Sequence, residues 1–295
     1  VGSGKSTVMP TLGQANLAER AVEVLTTADG RAKTALSRAH AAAWFSARAA
    51  GTPMPIGKAT PPDAPARPAK PDLLDPRDVP RRRPGSPTGR MALLHAVAHI
   101  ELNAVDLHWD IIARFTETAM PLGFYDDWVK AADEESKHFN LMADCLEAFG
   151  SHYGAMPAHA GMWRAASDTA TDLQGRLAVV PMVLEARGLD VTPGMIDLFR
   201  KAGEAGPVAA LEVIYAEEVS HVAYGSKWFN WLCGRDGSDP KEVFHRLVRH
   251  HFHGTLKPPF NEEKRADAGL PPDFYWPLTE GAPDIGSEIG SDTAA

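Results

Sequence analysis

The feature that most restricts how this chain can fold is a doubled pattern of carboxylate and imidazole side chains set into apolar stretches. Residues 134–138 read Glu-Glu-Ser-Lys-His and residues 217–221 read Glu-Glu-Val-Ser-His, so each holds a glutamate and a histidine three positions apart. On a helix that spacing puts both groups on one face, one turn apart. A lone glutamate precedes each pair in an apolar run, Glu101 in AHIELNAVDL and Glu185 in VVPMVLEARG. Glu135 follows Glu101 by 34 residues and Glu218 follows Glu185 by 33. The repeat predicts two helical hairpins of matching content, each with one Glu and one E-x-x-H.

The helical wheel predicts that these groups point inward. Val97, Ala98, Ala104, Val105 and Ile112 share the stripe of Glu101, and Trp128, Ala131, Phe139, Met142 and Leu146 that of Glu135. Leu177, Ala178, Met182 and Leu189 flank Glu185, while Leu211, Ile214, Val222 and Phe229 flank Glu218. A face this apolar must be buried. A lone buried carboxylate costs several kcal/mol and tends to take up a proton. Four of them with two histidines need cations. Two divalent ions balance four glutamates, and oxygen-rich ligands with one imidazole per metal suit iron or manganese, with zinc open. Glu101, Glu135, His138, Glu185, Glu218 and His221 are therefore the expected metal ligands. A single E-x-x-H is a common surface pair; the duplication carries the argument.

The rest of the pattern predicts an all-α fold. Residues 1–50 form an N-terminal helical segment, with an Ala-rich stretch from 14 broken near Asp29-Gly30. Residues 51–89 hold eleven prolines, which forbid regular structure, and read as an arm draped over the domain or a linker. Four helices are expected within 90–233, at 90–120, 124–150, 168–189 and 206–233, with Pro121-Leu122-Gly123 turning the first pair antiparallel. Between the last two, Gly188 to Gly206 reads as a break containing a short helix at 195–202. Residues 234–295 hold a helix near 239–252 and an irregular tail.

At 295 residues with 44% apolar and 23% charged side chains, the chain can bury a sizeable core. A net charge of -8 speaks against DNA as a partner. Two cysteines, Cys145 and Cys233, give no disulfide framework, and they fit a cytoplasmic protein. No run of 18 apolar residues is present, so no membrane span is expected. GKST near the start lacks the first glycine and the preceding strand of a phosphate-binding loop, and Arg81-Arg82-Arg83 reads as a solvated loop.

The six-residue pattern resembles the ferritin-like di-iron carboxylate superfamily, in which two helices each give a Glu and two others each give E-x-x-H. The text from AHIELNAVDL through DEESKHF and VVPMVLEARGLDVTP to AEEVSHVAYG is similar to the bacterial ferritin-like family known as domain of unknown function 455, over residues 15–278. The resemblance implies a ferritin-like four-helix bundle with added terminal helices and a long Pro-rich arm. It also implies that Glu134 and Glu217, which precede the E-x-x-H glutamates, hydrogen-bond ligand histidines. Both are Glu where relatives often carry Asp.

Three further residues lie near the expected ligands. His108 is two turns beyond Glu101 and Tyr215 one turn before Glu218; each has the plainer reading of a core residue. Pro181, one turn before Glu185, removes the donor that would bond residue 177, which either opens the helix toward a substrate or O2 pocket or leaves a tolerated kink. His245, His250, His251 and His253 lack an orderly ligand spacing and read as a solvated helix end. The expected function is an O2-activating oxidoreductase or hydroxylase holding two iron ions, with manganese or a mixed pair open. Its partners would be O2, an electron donor and a small molecule or modified nucleotide, and a homodimer stays open. The alternative is a ferroxidase or iron-storage protein without organic substrate. A peroxidase is disfavoured, because two cysteines cannot build a four-Cys iron site.

Overall fold

The computed structural model describes residues 15–75, 78–80 and 85–279. The GKST start, Arg81-Arg82-Arg83 and the last sixteen residues lie outside that range. The fold is all-α, and its only strands among the described residues are two of two residues each. The chain divides into two compact units, Val1–Trp163 and Arg164–Ala295, and the division falls inside the expected 90–233 segment.

In the first unit, α1 (Leu17–Leu25) and α2 (Gly30–Ala49) flank the break near Asp29. Asn16 and Glu19 cap α1 reciprocally, and the Asp29 carboxylate accepts from Ala32 N to start α2. Ser86 caps α3 (Pro87–Arg114), with Pro87 at its first turn. A turn leads into α4 (Leu122–Ala148), after which Gly150 adopts φ 72. Helices α3 and α4 pack along each other, and α1 and α2 cover them. Trp44, Trp109, Trp128, Phe124 and Phe139 are fully buried there. Each buried phenyl ring contributes about 1.5–3 kcal/mol.

Residues 51–75 of the proline-rich segment form a strap on this unit. Pro55 and Ile56 carbonyls accept from Leu17 and Ala18 N–H, two of the donors that the first turn of α1 leaves over. Gly57, at φ 66, brings its backbone so close that a Cβ would lie 2.1 Å from Asn16 Cγ. Farther along, Arg114 bonds Pro62 O, Lys33 bonds Ala66 O and Arg67 bonds Asn103 Oδ1. Strand β1 (Leu73–Leu74) then pairs in parallel with β2 (Ala158–His159). A short helix, α5 (Gly161–Asp168), follows.

The second unit corrects the expected break. Helix α6 (Leu173–Val179) runs into a π-helical turn, Val180–Glu185, and on through α7 (Ala186–Lys201). Pro193 lies inside α7 instead of ending it. A proline there cannot donate to Leu189 O. Asn261 Nδ2 does so from the C-terminal segment, at 3.2 Å, so the helix continues. At Pro181 the ladder widens: Ala186 N–H reaches back five residues to Pro181 O. Helix α8 (Ala205–Asp236) packs on α7 and the π turn and closes on Gly237 at φ 69. Helix α9 (Pro240–His251) lies on α6, and two short helices, α10 (Glu262–Asp267) and α11 (Pro272–Tyr275), complete the unit. Cys145 in α4 and Cys233 in α8 are free thiols.

Candidate metal centre

The first unit gathers its predicted ligands. Glu101 on α3 and Glu135 and His138 on α4 are all buried, at 4, 0 and 0% exposure. His138 Nδ1 lies 3.4 Å from Glu101 Oε2 and 3.3 Å from Glu135 Oε2. One donor atom from each of the three falls within 4.8 Å of the other two. Donors about 2.1 Å from one ion stand roughly 3.0–3.4 Å apart, so the trio has the spacing of a shared metal shell. Burial pushes the Glu101 carboxyl well above the usual carboxylate range, and the neighbouring Glu135 charge adds to this while His138 opposes it. A proton or a cation must therefore meet this cluster, and its oxygen-rich, imidazole-bearing donor set suits a divalent metal.

His108, one turn beyond Val105 on α3, is buried and places Nε2 3.5 Å from Glu135 Oε1 while stacking on Trp128 at 5.3 Å. It sits beside the ligands. Glu134 is half-buried and pairs with Lys130 at 3.7 Å.

In the second unit Glu185 closes the π turn and Glu218 and His221 lie one turn apart on α8. Their exposures are 6, 7 and 0%. His221 Nδ1 is 3.5 Å from Glu218 Oε1, the same pairing that His138 makes with Glu135. The turn that carries Glu185 is held close to α8, because a Cβ on Gly225 would meet Pro181 Cβ and Cγ at 2.5 Å. The close approach of Gly225, one turn beyond His221, is legible in no local pattern. Glu217 is half-buried on α8. Tyr215 turns its hydroxyl to Asn261 Nδ2, 2.7 Å away.

A second polar stripe on α3 escaped the sequence reading. His95, His99, Asn103, Asp106 and Asp110 are all buried at helical spacing. His99 bonds Tyr153 OH and His159 O, which suits a neutral ring, and burial holds its pKa down at about 4. Lys33 forms a buried ion pair with Asp106, and Arg114 holds Asp110. Burial pushes Asp106 up to about 6 against the pull of Lys33, and burial lowers Lys33. The spacing was visible, but the partners come from α2, the strap and the segment after α4.

Of the four histidines at this helix end, His250 and His253 are exposed as expected, while His245 and His251 are less solvated than expected. His245 donates to the carbonyls of Asp273 and Phe274, and His251 pairs at 3.1 Å with Asp172, the residue that caps α6. His253 lies 3.5 Å from Asp168. These contacts fasten helix ends.

No helix among the described residues is long and apolar enough to cross a membrane. A family model described as "Protein of unknown function (DUF455)" matches residues 26–276. An uncharacterized protein of Haemophilus influenzae is 39% identical over 210 residues, covering 70% of this chain and 73% of that protein. No solved structure matches the chain.

Proposed function

We propose, from the premise that the chain belongs to the DUF455 family, that it is a ferritin-like protein holding two divalent metal ions, iron foremost, and acting as an O2-dependent oxidoreductase. The ligands in this reading are Glu101, Glu135, His138, Glu185, Glu218 and His221. One observation carries it: four glutamates and two histidines are buried, at 0–7% exposure, with apolar neighbours such as Ala98, Val105, Phe139, Met182, Val222 and Phe229 on the same helices. Such a charge set is stable only when neutralised.

Bound iron would supply Lewis acidity and redox reactivity toward O2. The chain's own contribution is geometric. His138 and His221 each sit within 3.5 Å of the carboxylate one turn back, so a single ion can take both donors of an E-x-x-H. His108 lies against the Glu135 carboxylate and limits its rotation. Phe139, Met142, Met182, Val222 and Phe229 are buried on the ligand-bearing helices and keep water from them.

Metal analysis of protein purified without chelator tests the reading. Wild type should carry about two metals per chain, and Glu135→Ala and His221→Ala should each lose them. Equal metal content in all three removes the proposal. Fe2+-dependent O2 uptake that needs no reductant and yields no organic product would place the chain among iron-handling proteins instead.

A further inference from the structure

We propose that the Arg164–Ala295 unit carries a second site, for a small acid: a carboxylate or phosphate monoester on a flat apolar body. It is a cavity of about 180 Å³ whose wall includes Leu184 of the π turn, Phe252, Phe260, Arg187, Lys257 and Arg265. A cavity of about 150 Å³ suffices for benzene, so one ring with one small anionic group fits.

The charge at this wall points to an anion. Arg265 is 1% exposed and is held in one pose. Its Nε and Nη2 form a two-point bond with Asp190 at 2.9 and 2.7 Å. Its guanidinium carbon packs 4.8 and 4.6 Å from the ring centres of Phe260 and Tyr275. Its Nη1 is buried and makes no hydrogen bond among the described residues, and neither does the buried hydroxyl of Tyr275. A buried donor without an acceptor costs about 1–3 kcal/mol, more for a charged group. Arg187 spends only Nη1, on Lys257 O, Pro259 O and Asp190. Lys257 Nζ forms no ion pair among the described residues. Three cations thus face one carboxylate, in a chain whose net charge is -8. Guanidinium groups with free edges favour carboxylate or phosphate oxygens, and Phe252 and Phe260 offer the apolar surface that a flat body needs.

This inference needs no metal. Calorimetric titration of the full chain with benzoate, phenyl phosphate, benzyl alcohol and inorganic phosphate tests it. At least one of benzoate and phenyl phosphate should bind, about tenfold or more tighter than benzyl alcohol and inorganic phosphate. The better of the two identifies the acid class. The double variant R187Q/K257Q, changed only at residues with exposed or half-exposed side chains, should lose about tenfold in affinity while still unfolding in one cooperative thermal transition. The site is refuted by benzyl alcohol or inorganic phosphate binding as tightly as the aryl anions, by neither aryl anion binding, or by the double variant binding like wild type. The readout is heat of binding, so failure here leaves the metal analysis untouched, and a metal-free result there leaves this site standing.

Discussion

In the first half of the molecule Glu101 stands in an uninterrupted 28-residue helix, whereas in the second Glu185 ends a six-residue π turn that begins beside Pro181. The two halves carry the same donor pattern and reach it by different means. In Val1–Trp163 a polar stripe on α3 is tied to α2 and to the strap through side-chain pairs such as Lys33–Asp106. In Arg164–Ala295 the backbone itself is irregular and is held by close approach and by a borrowed donor, at Gly225 and Asn261. Regular helix braced by buried charge stands against widened helix braced by contact.

The largest effect expected from breaking this contrast is at Lys33. Lys33→Met leaves Asp106 buried without its partner and frees Ala66 O, and should cost about 3–5 kcal/mol in chemical denaturation. A cost under about 1 kcal/mol would show that the pair braces nothing. Next comes the pH response of the same stripe. An unfolded histidine titrates near 6.5 and folded His99 at about 4, so the folded state binds its proton less readily. The stability from this ring is fully present above pH 6.5 and is lost as pH falls toward 4, to a total of roughly 3 kcal/mol. His99→Gln lowers stability overall but should flatten that slope; an unchanged slope assigns the acid response elsewhere.

For the second half, Gly225→Ala drives a Cβ into the rigid ring of Pro181 and should cost about 1–3 kcal/mol. Asn261→Ala removes the donor to Leu189 O and Tyr215 OH and should cost about 1–2 kcal/mol, with faster amide exchange around residues 189–193. The smallest effect belongs to Gly30→Ala in the first half. Its Cβ would meet Phe139 Cζ at 2.9 Å, the far end of a rotatable ring, and should cost under about 1 kcal/mol. If Gly30→Ala and Gly225→Ala cost the same, contact does not brace the second half more tightly than the first.

Much of the helical layout was legible because it is local. The cap at Asp29, the turn at Pro121 and the apolar stripes around Glu101, Glu135 and Glu218 depend on residues within a turn or two. The misreadings have one cause. Pro193 looked like a helix end because the residue that completes the ladder, Asn261, lies far along the chain. The choice between a draped arm and a linker stayed open in the sequence, because the N–H groups that the strap's carbonyls satisfy belong to α1. The acids and histidines of the second α3 stripe were in view, but their partners were not.

By itself the sequence determined most of the helices, the inward faces and the six candidate ligand positions, since periodicity and side-chain chemistry act over a few residues. Only the tertiary structure decided that Pro181 widens the helix, that Pro193 does not end it, and that Arg265 is buried against Asp190 with one nitrogen unspent. Each of these depends on a hydrogen bond or a contact between residues far apart in the chain, and whether such a pair meets depends on how the whole unit packs.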